Sequence, residues 1–161
     1  MINIIAIDPG LSGGWAAFAA RGELLDAGDL PTTGEGSKRE IDSAELTKLI
    51  ISYHSEAGIV ERVSAMPGQG VSSMFRFGAA YGACKAVIQA NGLPLHLVTP
   101  QKWKKAMGIA SKSAGGAEEA RQKAIHLFPN QSFMFKRKKD HNAAEAALIG
   151  AYFLKSQGEA S

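Results

Sequence analysis

The first apolar run, Ile4-Ile5-Ala6-Ile7, is unbroken and largely β-branched, the pattern of a strand covered on both faces. Asp8-Pro9-Gly10 ends it, and the glycines at 10, 13 and 14 allow a tight turn. Apolar residues resume at Trp15-Ala-Ala-Phe18, so 2–8 and 14–20 read as a hairpin. Arg21-Gly22 forms the next turn, and Glu23 to Leu30 reads as a third strand. The polar, glycine-containing stretch 31–41 reads as a mobile loop. Asp42-Ser-Ala-Glu45 has the spacing of a capping box, and Leu46, Leu49, Ile50 and Tyr53 recur at helical spacing, predicting a helix over 43–56 stopped by Gly58. Ile59-Val60 then opens a short strand carrying Glu61 and Val63. A glycine-rich loop leads into a helix over about 72–91, closed by Asn91-Gly92. Leu93 to Val98 is a further strand, and Thr99-Pro100 starts a helix with proline at its first position. The segment 111–117 reads as a hinge, 117–127 as a basic helix, and Asp140 to about Gln157 as a terminal helix. Three strands followed by alternating helices and strands predict a mixed α/β sheet in a single domain, 1–161.

Composition narrows the class. Hydrophobic residues make up 45% of the chain, enough for a real core, yet no apolar run approaches the ~20 residues of a membrane span. No signal peptide is visible. The one cysteine, Cys84, excludes an internal disulfide and a multi-cysteine zinc site, and it reads as a buried, inert thiol in a cytoplasmic protein.

The net charge of +3 hides an asymmetry. Residues 101–139 hold ten Lys or Arg against two acids, Glu118 and Glu119, so the rest of the chain is net negative. That separation favours a polyanionic partner over a merely solvated helical surface. Lys102, Lys104 and Lys105 share one helix with Trp103 packed inward, and Lys136, Arg137, Lys138 and Lys139 directly precede the terminal helix.

Three acids lie where acids are costly. Asp8 closes the first strand, Glu61 follows Ile59-Val60, and Glu145 sits among alanines early in the terminal helix. Each alone reads as a turn residue, an ion-pair partner or a solvated helix residue. Together they suggest a divalent cation, since charges among apolar neighbours need compensation. Two such ions ~4 Å apart can hydrolyse a phosphodiester.

IDPGLSG, IVERV, a glycine-rich turn before FGAAYG, VTPQKWKK and KKDHNAAEAALIGAY occur in this order. With them the chain, from Ile5 to about Tyr152, resembles the RuvC-type Holliday-junction resolvases, above all the phage-type members. The resemblance implies an RNase H-like fold: a five-stranded mixed sheet with antiparallel first three strands, flanked by helices. It implies a homodimer that binds four-way DNA junctions and nicks two strands, using Mg²⁺ or Mn²⁺, two ions per site, in the cytoplasm of a bacterium or of a phage-infected host. Asp8, Glu61 and Glu145 match its metal-binding acids.

Two departures stand out. Family members often carry a second acid three or four residues before the position of Glu145, where this chain has Asn142 and His141, with Asp140 one residue further back. His141 shares a helical face with Glu145 and is a candidate ligand or base, or else a capping residue. Asp140 is a candidate catalytic residue and metal ligand, reaching the ions from an unwound first turn, and both residues are expected to contribute, His141 ahead because it shares the face of Glu145. The aromatic wedge of some members is replaced by Ser64, leaving Met74, Phe75 and Phe77 as substitutes. Gln69, Ser72 and Ser73 could donate to phosphates at the start of their helix. Rival readings are a general flap or branched-DNA nuclease of the same fold and a catalytically weak junction-binding protein. A sugar-kinase or actin-like ATPase needs a second half for which 161 residues leave no room.

Overall fold

Residue parity along the strands sorts the molecule into layers. The computed structural model describes residues 2–65, 67–110 and 115–158. Strands β1 (Ile4–Asp8), β2 (Gly14–Phe18) and β3 (Leu24–Asp29) form an antiparallel meander. A separate two-stranded ladder joins β4 (Thr32–Thr33) to β5 (Glu40–Ile41). Helix α1 (Ser43–Ser52) leads to β6 (Ala57–Glu61), parallel to β1. Helix α2 (Val71–Ala90) leads to β7 (Leu95–Val98), parallel to β6. The sheet order is β3-β2-β1-β6-β7. Helices α3 (Pro100–Met107), α4 (Gly116–Leu127) and α5 (His141–Gly158) follow. The expected five-stranded mixed sheet with an antiparallel first trio is the one observed.

Successive side chains on a strand point to opposite faces. Ile5, Ile7, Trp15, Ala17 and Val60 therefore pack against α1 and α2, meeting Leu46, Ile50, Cys84 and Ile88. Ile4, Ala6, Ala16, Phe18 and Ile59 pack on the other face against Trp103, Ala124, Ala147 and Leu148. Burial pushes the Cys84 thiol up to about 12, so it is inert as expected. Among the described residues no helix is long and apolar enough to cross a membrane.

Several boundaries differ from the sequence reading. Helix α1 ends at Ser52, four residues early, because His54 adopts a left-handed conformation at φ 49°. Gly58 is therefore not a helix stop but a residue inside β6, where a side chain would collide with Ile88 of α2. The stretch 31–41 is not simply a mobile loop. It holds β4, a 3-10 turn at Gly36–Lys38 and β5, and Arg39 ties it down by donating to the Leu11 carbonyl at 2.9 Å and the Thr32 hydroxyl at 3.1 Å. In the Asp42–Glu45 box, the Asp42 carboxylate accepts from the Glu45 amide at 3.0 Å. Of the expected hinge, residues 111–114 lie outside the described residues, as does Met66 of the glycine-rich loop.

Candidate active site

Strands β1 and β6 are parallel neighbours with Ile7 opposite Val60, so their terminal residues, Asp8 and Glu61, emerge at the same edge of the sheet. That edge, beyond the carboxyl ends of parallel strands, is where open α/β sheets bind ligands. Parity settles the face. Asp8 follows Ile4 and Ala6, and Glu61 follows Ala57 and Ile59, all directed toward α5. The start of α5 packs there because Gly14, cross-strand partner of Asp8, has no side chain to strike the Asn142 carbonyl. Ala143, Ala144, Ala146 and Ala147 are buried beneath the helix, and small side chains let it lie close to the sheet. Glu145, one turn in, is thereby brought to Asp8 and Glu61.

The electrostatics of the three acids record that convergence. Burial, then the charges of Glu145 and Glu61, hold the Asp8 carboxyl well above its ordinary value, against an opposing pull from Lys104. Glu61 is raised by burial and by Glu145, while a hydrogen bond from Trp103 and the charge of Lys104 work the other way. Glu145 is likewise raised by burial, with Lys104 and His141 opposing. Clustered carboxylates held above their usual range mark functional sites more often than structural ion pairs.

Helix α3 closes the cluster. Trp103 is fully buried, and its indole Nε1 donates to Glu61 Oε2 at 2.6 Å, fixing that carboxylate. The next residue, half-buried Lys104, is among the described residues the cation whose charge acts on all three acids. The sequence places Trp103 inward, but its bond to Glu61 and the position of Lys104 depend on where α3 crosses the sheet edge.

Asp140 and His141 part company. Lys138–Asp140 is a 3-10 turn before α5, the unwound geometry that Asp140 needs to turn toward Asp8. The carboxylate is engaged by Arg137: it accepts from the Arg137 amide at 2.7 Å and from Arg137 Nε at 3.0 Å, with Nη2 at 2.8 Å. Burial would raise Asp140, yet these bonds prevail and hold it below its ordinary value. His141 Nδ1 lies 2.9 Å from the Lys138 carbonyl. A carbonyl only accepts, so Nδ1 donates and the neutral ring keeps its Nε2 lone pair for a proton or a metal.

The other candidate residues lie on the surface. Gln69, Ser72 and Ser73 are exposed at the start of α2, and Lys102 and Lys105 are exposed on α3. Lys136, Arg137, Lys138 and Lys139 are exposed before α5, Arg137 being engaged with Asp140. Of the aromatic alternatives to Ser64, Phe75 is 77% exposed, whereas Phe77 is half-buried. A cavity of about 680 Å³ at the far end of α5, lined by Leu24, Met107, Phe128 and Leu154, lies away from this chemistry.

Among the described residues no three His, Cys, Asp or Glu side chains form a ready-made metal cage. The donor chemistry nonetheless fits Mg²⁺, which takes one or two carboxylates plus water and substrate phosphate in preference to an all-protein cage. Mutually repelling carboxylates, Glu61 buried and Asp8 and Glu145 half-buried, favour a hard divalent cation that supplies the missing positive charge.

Comparison of the sequence with protein-family models finds no match, and comparison with curated protein sequences finds none either. Solved structures do match. Thermus thermophilus RuvC in complex with a Holliday junction substrate superposes with a TM-score of 0.67 at 19% identity, covering 97% of this chain and 96% of that one. A second structure of Thermus thermophilus RuvC gives 0.65 at 20% identity, with 97% of each chain covered. The yeast mitochondrial Holliday junction resolvase Ydc2 gives 0.61 at 14% identity, over 97% of this chain and 80% of its own. Across nearly its whole length the chain has the RNase H-like fold of the RuvC-type resolvases.

Proposed function

We propose that the protein is a metal-dependent, structure-selective endonuclease that nicks four-way DNA junctions. The observation that carries this reading is the meeting of Asp8, Glu61 and Glu145, all held above their ordinary range, at the carboxyl edge of a RuvC-type sheet. In this reading the three acids hold Mg²⁺, replaceable by Mn²⁺, with two ions per site. The chemistry such ions supply is Lewis-acid activation of phosphodiester hydrolysis. The bond from Trp103 orients Glu61 and favours its ionised, ligating form. Lys104 offsets the surplus of negative charge and meets the incoming phosphate. His141, with Nδ1 held by the Lys138 carbonyl, presents Nε2 to take or hold a proton beside Glu145. Asp140 anchors Arg137, and through it the basic turn, rather than binding metal.

Lys102, Lys105, Lys136, Lys138 and Lys139 contact DNA phosphates, which position the substrate without reading its sequence. The exposed face of α2 supports a homodimer. Val71, Phe75, Gly78, Ala79, Gly82 and Ala86 recur at helical spacing and are all exposed, an apolar seam of small residues fit for a second copy. Two copies bring two sites to one junction. The reducing cytoplasm suits a chain whose single thiol is buried.

Cleavage of labelled four-way, three-way, flap and linear DNA with Mg²⁺ tests this reading. Paired nicks in the four-way junction at the highest rate are expected. Equal rates on flaps would assign the protein to general branched-DNA cutting, and no cleavage with either metal would overturn the nuclease assignment.

A further inference from the structure

Arg76, on the second turn of α2, is a charged residue that the molecule leaves largely unsatisfied. Among the described residues its Nη1 reaches the Gly36 carbonyl alone, at 3.3 Å, the long end of a hydrogen bond. Its Nε is fully buried and has no hydrogen-bond partner among the described residues. A guanidinium carries five donors, and a desolvated donor on a cation is expensive to leave unpaired. A purely structural role explains this poorly. Arg39 already fastens the β4–β5 segment with two shorter bonds, to Leu11 and Thr32.

What surrounds Arg76 suggests a ligand. It lines a cavity of about 310 Å³ whose opposite wall is the turn from Asp8 to Gly13. Ser73 and Phe77 share its wall, and Ser12 lies across from it. Ser73 and Arg76 are three residues apart and so project from one helical face. Both serines are exposed, each offering a hydroxyl donor. Among the described residues the only acid in the lining is Asp8, the end of β1, whose side chain strand parity directs toward α5. One guanidinium, two hydroxyls and a glycine-rich turn make a site for a tetrahedral oxyanion, which arginine grips by its fork.

We propose that Arg76, with Ser12 and Ser73, binds a backbone phosphate of the junction DNA on the α2 side of the Asp8 turn. The inference rests on the junction-binding reading above and, beside the phosphate donors expected at the start of α2, adds Arg76 and Ser12 to form a second phosphate contact region. This one stands apart from the lysines of α3 and of the turn before α5, on the other side of the acid cluster. A strand held at both places crosses Asp8, Glu61 and Glu145 in a fixed register. On binding, the guanidinium exchanges its weak Gly36 contact for the phosphate.

The test is binding of a labelled four-way junction, without divalent metal, across a salt series, together with melting temperatures. Arg76→Gln should weaken binding and make the slope of log affinity against log salt shallower by about 0.9, one phosphate contact. Arg76→Lys should restore the slope but not the full affinity, because a point charge lacks the fork. Ser73→Asp, at an exposed position, should weaken binding without loss of melting temperature, and it decides the matter if Arg76→Gln fails to fold. A lowered melting temperature for Arg76→Gln with an unchanged slope, or unchanged binding in Ser73→Asp, would make Arg76 a fastener for the β4–β5 segment and overturn the proposal. Wild-type protein that ignores junctions would instead sink the functional reading itself.

Discussion

The acid cluster at the sheet edge and the basic turn before α5 adjoin in sequence, yet they treat carboxylates in opposite ways. In the turn, Asp140 is matched by Arg137 through the main chain and two guanidinium nitrogens, and it is held below its ordinary value. Five residues later Glu145 joins Asp8 and Glu61, all three held above theirs, with one shared lysine to oppose them. The first arrangement satisfies its charges and stabilises the fold. The second leaves charge unsatisfied and is stable only because the sheet and α5 impose it. Two acids on one short stretch thus serve different ends, and the partner each finds, rather than its spacing in the sequence, decides which.

The contrast is broken most severely by removing a charge from the cluster. Asp8→Asn should lower junction cleavage with Mg²⁺ by at least about 100-fold, the scale of losing one electrostatic contact to a transition state, with junction binding retained. Glu61→Gln and Glu145→Gln should behave alike, and wild-type rates in all three would refute the assignment. Asp140→Ala should cost far less cleavage. Its loss should appear in melting temperature, and should shrink as pH falls. Asp140 is lowered on folding, so its stabilisation is present above the unfolded value of about 4 and fades as the native carboxylate protonates.

Salt dependence sharpens the same comparison from the DNA side. Lys138→Ala with Lys139→Ala should weaken binding to every DNA shape alike and make the salt slope shallower by up to about two units. An unchanged slope would reduce these lysines to surface solvation. Trp103→Phe deletes the bond that favours the ionised form of Glu61, so Glu61 should rise further. The acidic limb of the pH–rate profile, taken at fixed Mg²⁺, should move to higher pH. A profile that stays in place would mean that Glu61 is not the group titrating there. The smallest effect is on stability. A carboxyl raised on folding destabilises the native state once pH exceeds its unfolded value. Asp8→Asn should therefore raise the melting temperature at neutral pH by about 2–4 °C, corresponding to roughly 1 kcal/mol.

How far the sequence discloses this depends on the range of each interaction. Strand boundaries and the order of elements are local and legible, whereas the meeting of Asp8, Glu61 and Glu145 is expected only from the family resemblance, because it depends on the pairing of β1 with β6 and the packing of α5. The fate of Asp140 is also set nearby, by a residue three positions away. It escapes notice because a 3-10 turn with reciprocal main-chain and side-chain bonds has no hydrophobic period to announce it. The end of α1 at His54 is a left-handed residue that lacks the usual glycine, so the helix reads four residues too long. Lys104 is the instructive case. Composition groups it with the DNA-facing lysines, and only the passage of α3 across the sheet edge, with Trp103 fixed to Glu61, turns it toward the acids.

The central claim is that Asp8, Glu61 and Glu145 together form a divalent-metal site, and calorimetric titration of Mn²⁺ tests it without relying on cleavage. Wild-type protein should take up Mn²⁺ with release of protons at mildly acidic pH, because carboxyls held above their ordinary range must ionise to bind. Asp8→Asn and Glu145→Gln should each weaken that binding at least about tenfold, while Asp140→Ala should leave it unchanged. Equal Mn²⁺ affinity in wild type, Asp8→Asn and Glu145→Gln would contradict the account.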